Sequence, residues 1–359
     1  MAPPLLPLWS IVTPVIGWLL LAGAWVGLGG AYVFLLAMAL FACVLGAVHH
    51  AEVVAHRIGE PYGTLVLAVA ITVIEVALIV SLMLAGGPTT SALARDTVFA
   101  AVMIILNGIV GLCLLVGGSR FKEQTFGLYG VSASLATLAA IAVLTMVLPN
   151  FTVSTPGPFY SPRQLGFIAI VSLVLYGTFV LVQAVRHRDY FLPIEAAGDE
   201  EAHAPPPTVG TTAIAAALMI ACLGAVVLLG KASAPALERA IASAGAPKAL
   251  VGIIVAGVVL LPEGLAALRA AQANRLQTSL NLALGSALAS IGLTIPAVAA
   301  VSLITGWTLT LGLDGKATVL LLLSLFVVTV SLGTGRTTVL QGTVHLVIFA
   351  VYLFTTIFP

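Results

Sequence analysis

The sequence predicts an all-α integral membrane protein of about eleven transmembrane helices, built as two inverted five-helix repeats behind an extra N-terminal helix. Three observations predict it. Hydrophobic residues fill 60% of the 359 positions and charged residues only 8%, against about 45–50% and about 25% in ordinary soluble domains. The apolar positions gather into runs close to the ~20 residues that cross a bilayer. Finally, a glutamate lies deep inside one such run in each half of the chain.

Composition excludes several classes. A folded soluble core needs a charged, hydrated surface, whereas lipid-facing helices do not. Net charge is +1, which gives no basic face for nucleic acid and no polybasic patch. Cys43, Cys113 and Cys222 sit inside apolar runs, at a spacing that fits neither a zinc site nor a disulfide framework. A β-barrel would alternate apolar and polar residues, but these runs are apolar all round.

The expected spans are 10–28, 31–50, 64–85, 97–117, 127–148, 165–185, 209–229, 248–268, 277–304, 317–333 and 339–357. The first follows MAPPLLPLWS, which carries no positive charge, and it outruns a signal-peptide core, so it reads as a retained helix. Segment 186–208, RHRDYFLPIEAAGDEEAHAPPP, is charged and Pro-rich and reads as a hydrated linker. The resulting division is 1–30 for the extra helix, 31–185 for the first repeat, 186–208 for an acidic cytoplasmic linker and 209–359 for the second repeat. Loops on the N-terminal side hold eight of the 14 Lys and Arg residues (Arg57, Arg120, Lys122, Arg186, Arg188, Arg269, Arg275, Arg336) and the other side six. The positive-inside rule then favours a cytoplasmic N-terminus in the cell (inner) membrane.

Placing Glu75 over Glu263 aligns LVLAVAITVIEVAL (65–78) with IIVAGVVLLPEGLA (253–266). Each glutamate falls in the second helix of a five-helix group. An odd number of spans per repeat gives the two copies opposite topology.

Of the 13 acidic residues, only Glu75 and Glu263 lie well inside apolar helices, with no Lys or Arg deep in a span to pair with either. A charged side chain at the bilayer centre costs at least about 2.5–3.5 kcal/mol and marks a functional position. Such a carboxylate is neutralised by a proton or by a bound metal cation, and competition between the two couples their fluxes. Two carboxylates suffice for one divalent ion, or for one monovalent ion plus a proton. Further oxygens lie at similar depth on Thr72, Asn107, Ser286, Ser290 and Thr294. Pro262 and Pro296 lack an N–H, which frees the carbonyls of Val258 and Gly292 as candidate ligands at expected helix breaks. Gly108, Gly111, Gly285 and Gly292 allow close helix approach.

A second cluster is HHAEVVAHRIGEPYG (49–63). On a helix His49, Glu52 and His56 share one face at a membrane edge. His50 and His56 are the candidates for pH sensing.

The stretches HRIGEPYGTLVLAVAITVIEVALIVSLML (56–84), NGIVGLCLLVGG (107–118), LLPEGLAALRAA (260–271), LQTSLNLALGSALASIGLTIPAV (276–298) and GTGRTTVLQGTVHLVIFAVYLF (333–354) resemble the calcium/proton exchanger family of the cation/calcium antiporter superfamily. Within it the chain is most similar to the bacterial ChaA type, which exchanges sodium, potassium or calcium for protons. The resemblance implies eleven helices, two inverted repeats and an acidic linker. It also implies cation or proton binding at the metal-binding glutamates Glu75 and Glu263, with Asn107 and Ser286 on the partner helices of the two repeats. The family pattern Gly-Asn-Ala-x-Glu is replaced here by Ile71-Thr72-Val73-Ile74-Glu75 and Val259-Leu260-Leu261-Pro262-Glu263. Two amide oxygens are thereby lost, and calcium takes 6–8 oxygens, so sodium or potassium is at least as well matched. The expectation is a cation/proton antiporter, not an enzyme, with inorganic cations, protons and lipid as partners and no resident cofactor. The alternatives are a cation channel or uniporter on the same scaffold, and an intramembrane metalloenzyme using His49, His50 and His56.

Overall fold

The computed structural model describes residues 6–28, 30, 32–59, 62–192, 206–243, 245, 247 and 249–358. Along them run α1 (Leu8–Trp25), α2 (Tyr32–Ile58), α3 (Tyr62–Gly86), α4 (Leu93–Phe121), α5 (Leu128–Phe151), α6 (Pro162–Arg186), α7 (Val209–Ser243), α8 (Ala249–Gln272), α9 (Leu276–Thr305), α10 (Gly315–Leu332) and α11 (Val339–Ile357). Ten are long and apolar enough to cross a membrane, and α3 carries the shorter apolar stretch Val69–Leu84. The chain is a multi-pass membrane protein. In lipid every backbone polar group must find a partner within its own segment, and the helix achieves that.

Every expected span has its helix, but several run longer. Helix α2 continues to Ile58, because polar residues beyond the hydrocarbon edge do not end a helix that lacks a breaker, and α7 continues through Pro235 to Ser243. The acidic cluster Asp199, Glu200 and Glu201 of the linker lies outside the described residues.

The helices form two compact units, each drawing on both halves of the sequence. One holds α1, α2, α3 and α7; the other holds α4, α5, α6, α9, α10, α11 and α8 from Gly252 onward. In the first, α2 packs against α1, α3 and α7. Small residues set the spacing: a Cβ on Gly46 would meet Cys222 Sγ at 3.2 Å, and one on Gly224 would meet the Trp18 ring at 3.1 Å. Trp18 Nε1 donates to the Ala221 carbonyl (3.1 Å) and Ser81 Oγ to the Val227 carbonyl (3.0 Å), tying α1 and α3 to α7. The N-terminal helix is therefore a packed member of its unit.

In the second unit α8 runs beside α4 in the same direction. A Cβ on Gly252 would lie 2.9 Å from the Thr97 nitrogen, and one on Gly264, twelve residues on, 3.1 Å from Ile109 Cδ1. Further along, Ala267 and Ala271 pack on Cys113. Helix α11 lies close on α4, where a Cβ on Gly342 would sit 2.8 Å from the Gly111 carbonyl oxygen. Asp314 caps α10 through Ala317 N (2.7 Å), while Ser161 with Gln164 and Thr338 with Gln341 form capping boxes at α6 and α11. Outside the helices, Gln124–Thr125 and Arg336–Thr337 pair as a short antiparallel ribbon.

Two expectations need correction. Helices α8 and α9 continue through Pro262 and Pro296 without a break. Each proline removes one hydrogen bond, and the surrounding packing holds the rest of the ladder. Gly285 does not serve close approach, since a Cβ there would meet nothing within 4 Å. Gly108, Gly111 and Gly292 do, facing Phe349, His345 and Tyr176 respectively.

Candidate cation sites in the two units

In the first unit, Glu75 sits on α3 and is only 3% exposed, as is Thr72 one turn earlier. With Ile79 and Leu82 these residues form one buried stripe, while Val69 and Val73 are 47% and 44% exposed on the opposite side. The carboxylate is thus turned away from the exposed side of α3. A helix-period apolar run places it there, because the stripe that carries it is the one with packing partners.

In the second unit, Glu263 is half-buried on α8, and the Ser286 hydroxyl of α9 donates to its Oε2. Ser290 and Thr294 continue from Ser286 at i+4 and i+8, so three hydroxyls line one face of α9. Ser290 is buried, and the buried Thr294 hydroxyl has no hydrogen-bond partner among the described residues. A carboxylate beside a column of hydroxyl oxygens is the donor set of a hard cation. Gly292 packs on Tyr176, where a Cβ would lie 2.8 Å from Tyr176 Cβ. Val258 lies on α8 a little more than one turn before Glu263.

Asn107 is also in the second unit, fully buried, in a wide i→i+5 turn of α4 spanning Ile104–Ile109. Its amide is engaged on both sides. Nδ2 donates to Ser324 Oγ of α10 (2.8 Å), and Oδ1 lies 3.2 Å from Nδ1 of His345 on α11. Sequence reasoning missed both partners. His345 had a signal, being a histidine inside the apolar run TVHLVIFAVYLF (343–354); Ser324 had none, since lone serines are common in such runs.

The histidine cluster divides. His50 is buried, with Nε2 3.0 Å from the Ser10 carbonyl, so it joins α2 to α1. His49 packs its ring against Trp9 at 5.2 Å, and His56 and Glu52 are exposed. Among the described residues no group of three or more His, Cys, Asp or Glu is arranged to hold a metal.

Membrane helices that set carboxylates and hydroxyl oxygens inside their own spans define a class: polytopic proteins that handle inorganic cations within the bilayer. The chain belongs to the sodium/calcium exchanger protein family, whose pattern it matches over residues 24–185 and 213–358. It is 50% identical to a protein named as an ionic transporter, y4hA, of Sinorhizobium fredii, over 98% of this chain and 97% of that one. It is 37% identical to the sodium-potassium/proton antiporter ChaA of Escherichia coli, over 88% of this chain and 86% of the relative. Its fold matches the structure of native YfkE, with a TM-score of 0.72 at 16% identity over 98% and 100% of the two chains. It also matches the H+/Ca2+ exchanger CAX, with a TM-score of 0.70 at 15% identity over 96% and 87%.

Proposed function

We propose that this protein is a secondary-active antiporter that exchanges Na+, K+ or Ca2+ for protons by alternating access, and that Glu75 and Glu263 each take up cation or proton, never both. The observation that carries the reading is the pair of membrane-embedded carboxylates, Glu75 buried on α3 and Glu263 joined to the hydroxyl face of α9. A bare carboxylate in that setting is costly. A proton or a cation relieves the cost, and each excludes the other. Thr72 in the first unit and Ser286 and Ser290 in the second supply further oxygens. The names of the relatives, a sodium-potassium/proton antiporter and calcium/proton antiporters, support the same exchange.

Ion choice follows from oxygen count. Thr72 and Leu260 stand where the family pattern has amide side chains, and a site with fewer oxygens suits calcium poorly. Sodium and potassium are the favoured substrates. The N-terminus faces the cytoplasm, and the bacterial relatives support placement in the inner membrane.

The test is a cation panel on purified protein in vesicles carrying an internal pH dye. Adding Na+, K+ or Ca2+ outside an acid-loaded vesicle alkalinises the lumen if exchange occurs. Cation flux with no proton movement at any pH would overturn the reading in favour of a channel or uniporter.

A further inference from the structure

We propose that the Thr294 hydroxyl is a ligand for a transported alkali cation, forming with Ser290 a neutral station on α9 beyond the Ser286–Glu263 pair. The inference rests on the antiport reading above and adds a second stop to the ion's route.

Buried helical hydroxyls in this protein have a usual partner. Thr97 and Thr145 donate to the carbonyls of Leu93 (2.8 Å) and Ile141 (2.7 Å), four residues back, and Ser134, Ser172 and Ser324 do the same. Thr294 departs from this pattern. It is 0% exposed, yet its hydroxyl bonds neither the Ser290 carbonyl nor any other group among the described residues. The back-bond is one of two rotamers open to a helical threonine. Burying an unpaired hydroxyl is costly, and the neighbouring Ile291, Ile295 and Val298, all buried, offer it no polar side chain.

Position gives that oxygen a use. With a rise of about 1.5 Å and a turn of about 100° per residue, Ser290 lies about 6 Å and Thr294 about 12 Å along α9 from Ser286, on a face that winds by about 80°. Ser286 donates to Glu263, so the hydroxyl face starts at the acid. From there it runs inward: Ser286 is half-buried, whereas Ser290 and Thr294 are buried. Helix α9 holds no Asp, Glu, Lys, Arg or His. Its side chains beyond the acid therefore offer an ion only neutral oxygens. Those suit a monovalent ion that keeps part of its water, whereas calcium affinity depends on ligand charge.

The experiment compares wild type, Thr294→Val and Thr294→Ser in the vesicle assay, with whichever of Na+ and K+ wild type exchanges faster. Two further readings are taken in detergent: the cation concentration for half-maximal proton release, and the melting temperature. Thr294→Val keeps the shape and removes the oxygen. We expect its kcat to fall by about fivefold or more, the scale of one net polar contact. Half-maximal proton release shifts by less than about twofold, because both acids are intact. The melting temperature holds or rises, since an unpaired hydroxyl leaves the interior. Thr294→Ser keeps the oxygen and stays within about twofold of wild type in rate and in proton release.

A kcat within about twofold of wild type in folded Thr294→Val overturns the proposal. So does a Ser variant as slow as the Val variant, or a Val variant whose proton release shifts as far as its kcat, the mark of a structural role. If Thr294→Val does not fold, Thr294→Ala takes its place against Thr294→Ser under the same criteria. Wild type that exchanges Ca2+ but neither Na+ nor K+ overturns the station and leaves antiport standing. Wild type that moves no protons on cation addition overturns the antiport reading and this proposal with it.

Discussion

The Ser286 hydroxyl donates to the carboxylate of Glu263 from a neighbouring helix. A hydrogen bond to a charged group contributes about 1.5–3 kcal/mol. Ser286→Ala should therefore raise the apparent KM for Na+ by about tenfold, read as the Na+ concentration giving half-maximal vesicle alkalinisation. Glu75→Gln and Glu263→Gln keep shape and volume but cannot carry the charge, and each should abolish exchange while the protein still elutes as a single species from a sizing column. The two acids were legible as candidates because a charge deep in an apolar run has few structural reasons to be there. The hydrogen-bond partners of Asn107 were not. Ser324 and His345 sit 217 and 238 residues away from it in the sequence. No local pattern reports such a contact.

Helix existence was legible at the scale of elements, and helix detail was not. Hydropathy found all eleven long helices among the described residues because lipid demands long apolar segments. It could not find the wide turn at Ile104–Ile109, which is set by neighbours and leaves no mark in composition. Nor could it tell a glycine in a seam from a glycine facing open space. Gly342 belongs to a seam, and Gly342→Leu should force α11 off α4 and cost about 1–3 kcal/mol by overpacking. Gly285 meets nothing, so Gly285→Ala should be neutral or stabilise by about 0.5–1 kcal/mol through chain entropy. Thermal unfolding in detergent, compared for the two variants, checks both signs. Equal losses of melting temperature would contradict the packing described here.

For the whole molecule, the sequence showed two halves joined by a charged linker, and the family pattern likewise matches two segments, on either side of residues 186–212. The compact units cut across those halves, with α7 joining α1–α3 and α8–α11 joining α4–α6. Tertiary contact between distant segments sets that grouping, and hydropathy does not encode it. Competition at the two acids also predicts a whole-molecule pH dependence. Lowering the pH adds protons to the carboxylates, so apparent KM for the cation rises as pH falls, approaching about tenfold per pH unit for each proton displaced. A KM independent of pH between acid and neutral conditions would contradict competition.

The central claim is that proton and cation exclude each other at Glu75 and Glu263. The most direct measurement is proton release on cation binding by purified protein in weakly buffered detergent solution. The account predicts that adding Na+, K+ or Ca2+ releases protons in proportion to the cation bound, and that the release vanishes in Glu75→Gln/Glu263→Gln. Cation binding without proton release, or release undiminished in the double variant, would contradict it.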